Sequence, residues 1–242
     1  MDRAALRVAL QEDILRLEGF KSSAGITLDV GLSQLNNAFP NKTFPIGAVH
    51  EFISSRPEDD TATSGFIAGI LSSVMGLQGV TVWISASRNI FAPALKHFGI
   101  EPHRIIFVDL NKEQHISWAM EEALKCGSLS AVVGELKELT FTTSRRLQLA
   151  VENSRVTGFV LRKNCKKITT TACVSRWRIS SRPGIPIEDL PGVGFPCWKA
   201  ELLKIKNGKP GAWDIAWMDG RFVAILPNHL SDLPKVPLEK TG

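Results

Sequence analysis

FPIGAVHEFISSRPEDDTATSGFIAGILSSV, residues 44–74, is the stretch that decides the fold. It reads as a turn at Pro45-Ile46-Gly47, a short apolar strand from Ala48 to Ser54, a polar loop, and a helix opened by Thr61 or Thr63. Strand, loop and helix in this order form the frame of a phosphate-binding loop, in which backbone N–H groups and a helix N-terminus point at an anion. The loop chemistry is wrong for that task. A phosphate cradle uses glycines for close backbone approach, a lysine for the phosphates and a Ser/Thr for the metal. Between Ser54 and Gly65 there is neither glycine nor lysine, and Glu58-Asp59-Asp60 place three carboxylates where an anion would sit. The chain itself supplies the negative charge that a helix N-terminus favours. The stretch is a nucleotide-binding frame without nucleotide chemistry.

Working outward, apolar strands alternate with helices. Val80–Ser85, Arg104–Asp109, Ala131–Glu135 and Gly158–Leu161 read as strands, and Ala92–Phe98, Glu113–Lys125 and Ser144–Asn153 as helices. Ile116, Met120 and Leu124 fall on one helical face. This alternation predicts an α/β fold with a mostly parallel sheet covered by helices on both faces. After Leu161 the pattern changes. Ala172–Ser181 places Cys173, Ser175, Trp177 and Ile179 on one strand face and Val174, Arg176, Arg178 and Ser180 on the other. Pro183 to Pro196 reads as a Pro/Gly-rich loop, Trp198–Ile205 as a strand, and Asn207-Gly208 as a turn. Trp213, Ile215 and Trp217 alternate in a further strand, and Asp219-Gly220 is a hairpin turn into Arg221–Ile225. These are antiparallel C-terminal extensions of the sheet, whose tryptophans are expected in the core or at an interface.

Three segments follow: an N-terminal amphipathic helix (1–20), a core with its antiparallel extension (21–226), and a tail (227–242) of disordered composition. In the first segment Leu6, Leu10, Ile14 and Leu17 share a face, which packs on its own domain or docks on a partner. The same residues are interleaved with charge, unlike a signal peptide, and no run approaches the length of a membrane span. Cys126, Cys165, Cys173 and Cys197 show no metal-ligand or disulfide spacing, so reduced thiols, no metal and a cytoplasmic setting are expected. The five histidines are scattered, with no nucleophile at motif spacing.

Charge is unevenly placed. From Arg162 to Lys209 there are eleven Lys/Arg against three acids, leaving −3 of the overall +5 for the rest of the chain. Arg162-Lys163-Asn164-Cys165-Lys166-Lys167 follows the last parallel strand and is a candidate for phosphate contacts. Arg176 and Arg178 could extend that patch. A solvated charge run is the alternative, because no aromatic within the cluster can stack a base.

Several phrases in order resemble the ImuA family, RecA-like accessory proteins of bacterial mutagenesis cassettes. They are Phe44-Pro45-Ile46-Gly47, Trp83-Ile84 with Phe91-Ala92-Pro93-Ala94-Leu95, Arg145-Arg146-Leu147-Gln148-Leu149-Ala150, and Trp198-Lys199-Ala200-Glu201-Leu202-Leu203-Lys204 with Asn207-Gly208-Lys209-Pro210-Gly211 and Trp213. The resemblance spans residues 25–226. It implies a RecA-like fold and a role in SOS-type, error-prone translesion DNA synthesis. The implied partners are an ImuB-like inactive Y-family polymerase homologue and the error-prone replicative-type polymerase of the same cassette, with DNA and RecA as further candidates.

Carried over residue by residue, the Walker A lysine and the hydroxyl after it would fall near Thr63 and Ser64. The catalytic glutamate would fall near Ser87, and the Walker B acid would be Glu135. An acid without the lysine and the phosphate loop has no Mg–nucleotide to hold. The chain is therefore expected to be no enzyme and to use no cofactor. Two rival readings are a SulA-like cell-division inhibitor that binds the division GTPase, and a divergent RecA-like ATPase, which the acids at 58–60 disfavour.

Overall fold

The computed structural model describes residues 35–187 and 190–225. The N-terminal helix and the C-terminal tail expected from sequence lie outside them. Two short 3₁₀ turns, Leu35–Ala38 and Pro40–Lys42, lead into β1 (Val49–Ile53), which is buried along its whole length. α1 (Pro57–Met75) follows, then β2 (Thr81–Ser85), a 3₁₀ segment (Ala92–Phe98), β3 (Ile105–Asp109), α2 (Glu113–Leu124), β4 (Ala131–Leu136), α3 (Phe141–Ser154) and β5 (Thr157–Arg162). β6 (Ser175–Ile187), β7 (Leu190–Ile205), β8 (Gly211–Met218) and β9 (Arg221–Ala224) complete the chain.

All nine strands form one mixed sheet in the order β3-β2-β4-β5-β1-β6-β7-β8-β9. The strands from β3 to β6 are mutually parallel, and β7, β8 and β9 each pair antiparallel with their neighbour. One apolar cluster lies on the α1 side, where Phe66, Ile67 and Ile70 meet Phe52, Trp177, Trp198, Trp217 and Phe222. A second lies beneath α2 and α3, where Ile116, Met120, Leu124, Leu147 and Val151 meet Val132 and Val160. Both sheet faces are thus covered, as continuous apolar strands require. Trp177, Trp198 and Trp217 are buried, and Trp213 packs at the edge of the larger cluster.

Three expectations change. The polar loop after β1 shrinks to Ser54-Ser55-Arg56, because Pro57 starts α1 at once, with its ring already set to helical φ and no N–H to satisfy. The Pro/Gly-rich loop at 183–196 is a long β6–β7 hairpin. Its ladder skips at Pro183-Gly184 and at Pro186, the places where a missing N–H costs nothing. Gly194, at φ 65°, lies so near the Ile185 carbonyl that a Cβ would sit 2.0 Å from its oxygen. The alternation predicted before β6 also breaks, since Val174 joins Trp177 and Ile179 in the larger cluster while Cys173 lies in the other.

His50 locks the start of the sheet. Its Nε2–H donates to the Pro45 carbonyl at 2.7 Å, and its Nδ1 accepts from Ser175 Oγ at 2.7 Å, which itself accepts from Trp177 Nε1 at 2.9 Å. Burial pushes the His50 pKa down to about 4, against a smaller opposing effect of the Pro45 hydrogen bond. The unfolded chain takes up this proton near pH 6.5 and the folded chain resists it, so stability falls with pH. The loss between pH 6.5 and 4.5 is expected to be about 2–3 kcal/mol. Urea midpoints across this window should drop, and His50→Gln should flatten the slope.

Two glycines one turn apart on α1 provide a paired test. A Cβ on Gly69 would lie 2.4 Å from Phe222 Cζ and 2.9 Å from its Cε2, in a ring only 2% exposed, whereas one on Gly65 would lie 3.4 Å from Phe98 Cζ. Gly69→Ala should destabilise by about 1–3 kcal/mol through overpacking. Gly65→Ala should gain up to about 1 kcal/mol of helix propensity. Denaturant midpoints should move in opposite directions.

Candidate functional site

The carboxyl ends of the parallel strands share one edge of the sheet, and Glu135, Lys163, Lys166 and Lys167 stand at or just beyond it. At the centre, the N-terminus of α1 is closed by the chain's own groups. Asp59 is 4% exposed and accepts from Arg56 Nε at 2.9 Å, Arg56 Nη2 at 3.1 Å and the Ser181 amide at 3.0 Å. Burial opposes its ionisation, yet the hydrogen bonds from Arg56 and Ser181 and the Arg56 charge hold its pKa below the usual carboxylate range. Asp60 accepts from Ser54 Oγ. Thr63 and Ser64 lie inside the helix, their hydroxyls donating to the Asp59 and Asp60 carbonyls at 2.6 and 3.0 Å. They are helix-interior residues and not the end of a loop.

Glu135, near the end of β4, accepts from Trp83 Nε1 at 2.9 Å and pairs with Lys163 Nζ at 2.6 Å. Ser87 is exposed beyond β2, where the neighbouring Arg88 pairs with Asp109 at 2.7 Å and covers the Phe107 ring at 4.8 Å. Among the described residues no three His, Cys, Asp or Glu side chains gather as a metal site would need.

The basic cluster divides in two. Arg162 and Arg176, read as surface cations, are 4% and 8% exposed and both bind Glu51, which is fully buried. Arg162 Nη1 reaches Glu51 Oε1 at 2.9 Å, and Arg176 Nε reaches Oε2 at 2.7 Å. Thr171 Oγ1 adds a bond to Oε2 at 2.9 Å, and Arg176 also donates to the Thr169 carbonyl. These two arginines stabilise the interior and present no charge at the surface. Their burial follows from register, since Glu51 lies directly across from Arg176 on β6, a pairing invisible along the chain. Lys166 and Lys167 are exposed, whereas Lys163 and Arg178 are half-buried.

The three lysines, but not Arg178, line a cavity of about 690 Å³ between the loop after β4, the first turn of α3 and the loop after β5. Lys137 and Phe141 join Lys163, Lys166 and Lys167 in its walls. Neither was found from sequence. They stand more than twenty residues upstream of the cluster, and only the parallel β4–β5 pairing, with Leu136 opposite Arg162, brings the two loops together. A residue immediately after a strand was the available signal, because adjacent parallel strands deliver their following loops to one edge. The walls are held in place. Thr169 Oγ1 donates to the Leu139 carbonyl at 3.2 Å, the Ala172 amide donates to Ser144 Oγ at 2.9 Å, and Lys204 Nζ donates to the Thr171 carbonyl at 2.7 Å.

No family model matches the chain. It is similar to Protein ImuA of Caulobacter vibrioides (strain NA1000 / CB15N), 31% identical over 198 residues that cover 77% of this chain and 81% of that protein. The chain belongs to the ImuA family. A more distant similarity, 26% over 130 residues and 53% of this chain, links it to the cell division inhibitor SulA of Yersinia pestis (strain Pestoides F). Membership places the chain among accessory proteins of mutagenesis cassettes. No helix among the described residues is long and apolar enough to cross a membrane.

The Glu51 network makes a direct prediction. Glu51→Ala leaves two guanidinium groups buried without a counter-charge, a defect that costs about 3–5 kcal/mol. Guanidinium chloride unfolding should show a loss of that size.

Proposed function

We propose that this chain is a non-catalytic, RecA-like accessory and scaffold protein of an SOS-type, error-prone translesion synthesis complex. It works by surface recognition, joining an ImuB-like inactive Y-family polymerase homologue and the cassette's error-prone replicative-type polymerase and helping to hold them at DNA in the cytoplasm. The observation that carries this reading is the start of α1. Its first turn carries Glu58, Asp59 and Asp60, and the link from β1 is three residues long, so nucleotide phosphates meet carboxylates and no cradle. The parallel strands flanking β1, with a helix directly after it, support the RecA-like reading of the core. The SulA-like alternative has less behind it, as that similarity is lower in identity and covers about half of the chain. Without an energy source of its own, the protein contributes only through differential binding.

Leu6, Leu10, Ile14 and Leu17 supply the docking face in this reading, because a terminal helix can engage a partner without disturbing the core. Burying a leucine is worth roughly 1.5–3 kcal/mol, so losing two such contacts weakens a complex by about a hundredfold or more. Leu10→Asp with Ile14→Asp is expected to abolish co-purification with the ImuB-like partner and to leave the thermal midpoint within a degree or so. A large fall in the midpoint would place the helix in the domain's own core instead. Titration calorimetry with Mg–ATP should give only heat of dilution; micromolar affinity would overturn the non-catalytic reading.

A further inference from the structure

We draw no further inference here: the strongest candidate, the outer edge of β3 with its exposed Ile106, the last strand on that side of the sheet among the described residues, carries none, because nothing in the structure shows what covers it.

Discussion

A single buried carboxylate joins the two halves of this protein. Glu51 lies mid-strand in β1 with no exposure, and its two oxygens take one guanidinium from β5 and one from β6. Burying a carboxylate is costly, and the cost is offset only when charge and hydrogen bonds surround it on every side. Here that condition requires β5, β1 and β6 in a fixed register, and it requires the segment between β5 and β6 to fold back so that Thr171 can complete the shell. The parallel core and the antiparallel extension are therefore specified together. The loop that lines the basic cavity inherits its position from the same network.

Two helix starts stand on the same edge of the sheet, and they differ in what they offer. α1 begins three residues after β1 with its first turn full of acid, and Arg56, Ser54 and the Ser181 amide satisfy those acids from within the chain. α3 begins after a four-residue loop with Thr140 as its cap, whose hydroxyl accepts from the Thr143 amide, and with lysines nearby. The acids of the α1 start are the feature on which the proposed role through surface contacts rests.

Much of the architecture was readable along the chain. Apolar runs at β2, β4 and β5 and the spacing of Ile116, Met120 and Leu124 predicted buried strands and a covering helix, because burial on both faces leaves no room for polar residues. Asp219-Gly220 predicted its hairpin because both residues need positive φ, and they adopt 51° and 71°. The segment at 183–196 was misread because proline and glycine mark loops on average. A strand tolerates them where its ladder already skips, and that irregularity belongs to the pairing and not to either segment alone.

The sequence by itself determined most of the elements, the missing phosphate cradle, the family and the basic balance of the C-terminal third, all of which are local or compositional properties. Tertiary structure decided which cations are available. Arg162 and Lys163 are neighbours in sequence, yet strand alternation turns one inward to Glu51 and leaves the other at the rim beside Glu135. Arg176 is spent on the same carboxylate, while Lys137 and Phe141 reach the cavity from the β4–α3 connection and the start of α3, which no sequence cluster marks. The reason is geometric. A parallel sheet gathers residues from distant strand ends onto one edge, and a side chain's charge is then used inside or outside according to the face its strand position dictates.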